Sequence, residues 1–265
     1  MFKQRLLTAL VLLPLVLGSI YYASPWMLAG ILLLLVVALG WEWNKLIPLN
    51  RLDHNVAFIL GLLIMVGCSR HWPGFWLKLD LAVWGCVLFA VMTYPASQRY
   101  WGYPVVVGGV GLLFLSLFCN VFVDLYHVEH GQNLIVYVLF LIWATDTGAY
   151  LVGKQFGHFK LIPSVSPGKT IEGSIGGVLL ALLVATIGYF IFEPSSVAMW
   201  FLVALLTVLI AMLGDLLISM LKRRSHLKDS GHILPGHGGI LDRLDSSLAA
   251  LPLFYYALSF LELGR

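Results

Sequence analysis

Asp215, Ser219 and Lys222 recur at i, i+4 and i+7 inside an otherwise apolar run, so a helix there carries one polar stripe. Asp242 and Asp245, spaced i and i+3 at the start of the next apolar run, can project together from its first turn. Between the two lies a polar loop holding Lys222, Arg223, Arg224, Lys228, Asp229 and the glycine-rich run Pro235-Gly-His-Gly-Gly239, with Arg243 just beyond. Carboxylate oxygens suit Mg²⁺, which takes one or two carboxylates together with substrate phosphates. Lys and Arg neutralise phosphate oxygens, and glycine lets backbone N–H groups approach an anion. Asp215 alone could be a helix-holding ion pair. Its company with Asp242, Asp245 and the basic cluster favours a metal-assisted phosphate site. His226, His232 and His237 have irregular spacing and no cysteine partners, a poor set for zinc. His237 is assigned to hydrogen bonding with phosphate or to the structure of the loop.

A second polar segment reads Ser166-Pro-Gly-Lys-Thr-Ile-Glu-Gly173. Gly168-Lys169-Thr170 resembles the end of a phosphate-binding P-loop, but Pro163 stands where that motif needs its first glycine, and no strand is expected before it. Lys169 and Thr170 still precede a helix N-terminus, which favours an anion. A basic anchor for anionic lipid is the competing reading. Upstream, Trp143-Ala-Thr-Asp-Thr-Gly-Ala-Tyr150 places Asp146 near the end of another apolar run. Gly173, Gly176 and Gly177 are expected to permit close helix packing rather than chemistry.

The elements that must position these groups are membrane spans. Of 265 residues, 60% are hydrophobic and 11% charged, against about 25% charged in soluble domains. Apolar runs near 6–23, 26–47, 55–72, 76–94, 104–124, 133–151, 171–192, 196–221 and 243–261 predict an all-α polytopic membrane protein of about nine transmembrane helices. Pro25, Pro73, Pro104 and Pro194 mark breaks. The first span reads as an uncleaved helix rather than a secretory signal. Cys68, Cys86 and Cys119 sit in apolar stretches and read as small hydrophobes. With the N-terminus cytoplasmic, all of the 16 Lys and Arg except Arg70, Lys78 and Arg265 fall on the inner side. The loops 152–170 and 222–242 then share that face. Asp146 lies roughly 8 Å and Asp215 roughly 10 Å below it, at 1.5 Å per residue. Glu42, Glu172 and Asp245 come at the same level. Acids within a membrane are expensive and usually face the bundle interior. With no repeat and no linker, residues 1–265 are read as one membrane domain, with N-terminal spans in 1–132 and the chemistry in 133–265.

The run Ser219-x-Leu221-Lys222-Arg223-x₄-Lys228-Asp229-x-Gly231-x₂-Leu234-Pro235-x-His237-Gly238-Gly239-Ile240-x-Asp242-Arg243-Leu244-Asp245 resembles the signature of the phosphatidate cytidylyltransferases, or CDP-diacylglycerol synthases. Asp146-Thr-Gly-Ala-Tyr150 and Ser166–Gly173 also resemble stretches of the bacterial members, with Thr147 where serine is common. The resemblance implies a bacterial inner-membrane enzyme with its site toward the cytoplasm. It would join CTP and phosphatidic acid into CDP-diacylglycerol, release pyrophosphate and use Mg²⁺. It further implies that Asp215, Asp242 and Asp245 hold the cation, with a monovalent partner such as K⁺, and it allows a homodimer. No nucleic-acid partner is expected. A phosphate monoester has a second pKa near 6, so the lipid nucleophile is already ionised and needs no strong base. Catalysis then rests on positioning and charge neutralisation. Lys222, Arg223, Lys228 and Arg243 are assigned to the substrate phosphates, with Lys169 and Thr170 on one of them. Asp146, Ser219 and Asp229 support the site. A transporter or another lipid phosphotransferase is the alternative. Transporter sites lie nearer the midplane and often go with internal repeats.

Overall fold

The computed structural model describes residues 2–47, 52–233 and 238–263. It contains nine long helices, one short helix and one small β-hairpin. They are α1 (Phe2–Tyr22), α2 (Pro25–Asn44), α3 (Leu52–Ser69), α4 (Pro73–Met92), the short α5 (Gln98–Trp101), α6 (Pro104–His127), α7 (Gly131–Phe156), β1 (Lys160–Ile162), β2 (Ser166–Thr170), α8 (Ile171–Phe192), α9 (Val197–Arg224) and α10 (Leu241–Leu258). Six of them, α2, α4, α6, α7, α8 and α9, are long and apolar enough to cross a membrane. The protein is an all-α polytopic membrane protein.

Local sequence sets the helix starts. Pro25, Pro73 and Pro104 open α2, α4 and α6, where a missing N–H costs nothing. Ser24, Thr170 and Ser196 each accept a backbone N–H as N-caps of α2, α8 and α9.

Three boundaries that bear on the site differ from the hydropathy reading. Helix α7 continues to Phe156 instead of ending near Leu151, so Asp146 sits within a longer helix. Helix α9 runs to Arg224, and α10 begins at Leu241, which puts Asp242 on the helix itself. Polar residues that end an apolar run need not end the helix, because backbone hydrogen bonding carries it past the hydrocarbon. The segment expected to be an irregular loop contains β1 and β2, paired antiparallel with Lys160 opposite Thr170. Gly168-Lys169-Thr170 therefore lies on a strand, and a strand does precede it.

The packing explains the glycines. On α8, Gly173, Gly176, Gly177, Ala181, Ala185 and Gly188 are buried, while Ile175, Leu179, Leu183 and Ile187 on the other side are exposed, as a lipid-facing stripe should be. A Cβ on Gly176 would strike Val152, one on Gly148 would strike the Gly176 carbonyl, and one on Gly177 would lie 2.7 Å from the Thr145 carbonyl. Helices α7 and α8 thus touch backbone to backbone. Gly214 makes the same close approach for α9 and α10, against the Asp245 carbonyl. Helix α10 is enclosed, with residues 245–252 buried. It can carry Asp245, Ser246 and Ser247 because its neighbours, not lipid, surround it.

Candidate active site

A cavity of about 370 Å³ lies between α7, β2, α8 and α9, lined among others by Asp146, Lys169, Thr170, Ser174 and Asp215. Each group arrives for a local reason. The α7–α8 contact places Asp146 beside the start of α8. The hairpin folds Lys169 back over the cavity. The polar stripe of α9 presents Asp215. Lys169 Nζ forms a salt bridge with Asp215 Oδ2, and Ser219 Oγ donates to Asp215 Oδ1 at 3.3 Å. Thr170 lines the cavity, but its Oγ1 accepts the Gly173 N–H at 3.1 Å. Its oxygen caps α8 through one lone pair, leaving the hydroxyl proton and the second lone pair for a ligand.

Asp245 reaches the same region from α10. Its backbone abuts Gly214, the residue before Asp215. Its Oδ1 accepts the Ser246 N–H at 2.7 Å. It lies within Coulombic range of Asp215, Lys169 and Asp146, and Asp146 in turn feels Arg243. Three acids from α7, α9 and α10 thus share one electrostatic neighbourhood with Lys169 and Arg243.

Asp242 anchors an adjoining network. Lys222 Nζ bonds Asp242 Oδ1 at 2.7 Å. Asp242 Oδ2 accepts the N–H groups of Ser230 at 2.8 Å and Gly239 at 3.1 Å. The Ser230 hydroxyl sits 3.0 Å from Asp242 Oδ2 and 3.1 Å from Glu42 Oε2, with one proton to give. Burial opposes the charge on Asp242, but Lys222 and the two N–H donors outweigh it and hold its carboxyl below the usual range. Glu42, fully buried at the end of α2, also accepts the Leu241 N–H at 2.8 Å and so anchors the start of α10. A Cβ on Gly239 would overlap Ser230 Oγ and Glu42, and one on Gly231 would overlap Glu42. Those two motif glycines are fixed by a carboxylate 190 residues away in sequence (about that far from either), a partner that spacing within the loop could not name.

The remaining expected site residues separate into ties and free groups. Arg223 donates through Nε to the Val165 carbonyl at 3.2 Å, holding the hairpin turn to α9. Lys228, Asp229 and Arg243 are exposed, and none of them forms a salt bridge among the described residues. His237 lies outside the described residues. Glu42 was visible in sequence only as an acid at the right level; its role as the anchor of the loop appears only in the fold.

Among the described residues, no three His, Cys, Asp or Glu side chains form a ready-made metal cluster. The donor set nevertheless suits a hard divalent cation. Asp215 and Asp242 each already hold a lysine ammonium, and all the acids offer oxygen.

The chain matches the model of the cytidylyltransferase family over residues 3–261. It is 40% identical to a phosphatidate cytidylyltransferase of Pseudomonas aeruginosa over 260 residues, covering 96% of each chain. It is 36% identical to one of Haemophilus influenzae, covering 97% of this chain and 98% of the other. A Bacillus subtilis phosphatidate cytidylyltransferase is 37% identical over 69% of this chain and 68% of its own length. A match spanning every helix that contributes an acid or a lysine to the site means that the chain belongs to the cytidylyltransferase family.

Proposed function

We propose that the protein joins CTP to phosphatidic acid, giving CDP-diacylglycerol and pyrophosphate. The observation that carries this reading is the pairing of two site carboxylates with two lysines, Asp215 with Lys169 and Asp242 with Lys222, in a chain whose near-full-length relatives bear that activity as their name. A lipid phosphate oxygen attacks the α-phosphorus of CTP, and the bond from that phosphorus to the bridging oxygen of the β-phosphate breaks. The electron pair leaves with pyrophosphate. Because the attacking oxygen is already anionic, the protein supplies orientation and positive charge.

Asp215, Asp242 and Asp245 would hold Mg²⁺, alongside a monovalent ion such as K⁺; the bound cation would supply charge neutralisation at the phosphates. Lys169 and Lys222, when freed from their carboxylates, can turn their ammonium groups to phosphate oxygens. Arg223, Lys228 and Arg243 add positive charge at the mouth, and His237 belongs to the same reading. Asp146 and Ser219 orient Asp215 and its neighbours, and Asp229 sits against Gly238. The reading also places the protein in a bacterial inner membrane with the site toward the cytoplasm, where CTP is. A homodimer belongs to it on family resemblance alone, and light scattering on the purified protein tests that part.

The decisive assay uses detergent-solubilised protein, phosphatidate, Mg²⁺ and each nucleoside triphosphate in turn. The expected result is equal molar release of pyrophosphate and lipid-linked CMP from CTP. Phosphatidate-dependent release of inorganic phosphate without lipid-linked nucleotide would overturn the reading.

A further inference from the structure

A second cleft, of about 710 Å³, opens at the same end of the bundle as the polar loops and shares no lining residue with the catalytic cavity. Its walls include Lys45 after α2, Arg99 on α5, Tyr103 before α6, and Arg224 and His226 at the end of α9. No Asp or Glu lines it. Among the described residues, neither Lys45, Arg99 nor Arg224 has a salt-bridge partner. This contrasts with the catalytic cavity, where Lys169 is balanced by Asp215.

The cleft is built rather than incidental. The Arg224 guanidinium is held by two backbone carbonyls from separate segments, Leu46 at 3.4 Å and Gly102. Ser225 Oγ adds a bond to the same Leu46 carbonyl at 3.1 Å. The guanidinium also lies 5.8 Å from the centre of the Trp101 ring. Arg224 is therefore a fixed cation with N–H donors to spare. Lys45 and Arg99 are both exposed and can turn toward a ligand in front of it, Arg99 from its place 4.6 Å from the centre of the Tyr100 ring. Beside the mouth, Tyr100, Tyr103 and Val105 expose large apolar surfaces, the composition of a membrane interface.

Three cations without a salt-bridge partner among the described residues and an imidazole, set at an interface with Arg224 anchored by the backbone, have one complementary ligand chemistry. We propose that this cleft is an anion site for a phosphate group, separate from the reacting centre. Its position favours the headgroup of an anionic phospholipid in the leaflet that faces the active site; a soluble phosphate is the other source. The inference does not depend on the reaction assigned above.

The test compares wild type with the Lys45→Gln/Arg99→Gln double variant, neither residue belonging to the catalytic site. Lys78→Gln, an exposed lysine on α4, serves as control. One arm measures retention of phosphatidylglycerol against phosphatidylcholine by native mass spectrometry. The other titrates inorganic phosphate into each detergent-solubilised protein and reads binding by isothermal titration calorimetry. At about 1 kcal/mol per basic side chain near an anionic surface, the double variant should lose about 30-fold in anion affinity. It should keep its CTP-incorporation rate in zwitterionic micelles, and Lys78→Gln should bind normally. Selective loss of phosphatidylglycerol supports a lipid source, and loss confined to the phosphate arm supports a soluble one. Undiminished binding in both arms by a double variant that elutes as a folded protein overturns the site. So does a wild type that prefers neither anion.

Discussion

Gly239 and Gly168 look alike in sequence, since each is a glycine in a polar, phosphate-suited motif. They differ in what surrounds them. A Cβ on Gly239 meets Ser230 Oγ and the Glu42 carboxylate, whereas one on Gly168 meets nothing within 4 Å. Gly239→Ala should destabilise the protein by about 2 kcal/mol or more, because buried polar atoms must move apart. Gly168→Ala should stay within about 0.5 kcal/mol. Thermal unfolding in one detergent separates the two, and equal shifts would contradict the packing described for Gly239. Glu42 itself accepts from the Leu241 N–H and stands within hydrogen-bond reach of the Ser230 hydroxyl. Glu42→Ala should cost about 3 kcal/mol, since donors to a charged acceptor lose their partner. It should also open residues 225–240 to limited proteolysis. A protease-resistant, fully stable Glu42→Ala protein would show that the loop is held some other way.

At the scale of elements, the site depends on two close helix crossings, α7 on α8 and α9 on α10. The first brings Asp146 under the hairpin that carries Lys169; the second brings Asp245 beside Asp215. Gly176→Leu inserts a side chain where Val152 already stands, so it must separate α7 from α8. We expect loss of at least about 2 kcal/mol of stability and loss of turnover, although Gly176 touches no ligand group. Leu179→Ala, on the exposed side of the same helix, should change activity little. Turnover assays on both purified variants check the contrast. A fully active Gly176→Leu enzyme would mean that the crossing is not what positions the cavity.

For the molecule as a whole, the acids and lysines form a balanced set in which Lys169 and Lys222 occupy the carboxylates that a divalent ion would need. If Asp215, Asp242 and Asp245 bind Mg²⁺, the ion binds the folded state alone and must raise its stability. At a concentration 100 times its dissociation constant the gain is about 2.7 kcal/mol. Thermal unfolding of wild type should therefore shift upward with Mg²⁺ in the absence of any substrate. The Asp215→Asn variant should lose most of that shift, and its turnover should fall by about 100-fold or more. A Mg²⁺-independent melting curve for the wild type would remove the metal assignment without touching the family membership.

The sequence by itself determined that the chain lives in a membrane, roughly where its helices lie, and which residue types carry the chemistry. Those features are local: an apolar run long enough to span, a proline or serine at a helix start, a carboxylate stripe at helical spacing, a long motif read in order. The loop it predicted before Ile171 holds a hairpin whose two strands pair within that segment, and Thr170 caps α8 through the Gly173 N–H three residues on; both are local hydrogen-bond patterns that hydropathy does not read. Asp80 lies inside the predicted span 76–94, where an acid is expensive, and the structure buries it in α4 with neither carboxylate oxygen hydrogen-bonded among the described residues. Only the tertiary structure decided which acid faces which base, that Glu42 anchors the loop, and that Lys45, Arg99 and Arg224 converge around a second cleft. Such pairings join residues far apart in the chain, and they are chosen by how closely the helices pack, a quantity no single helix contains.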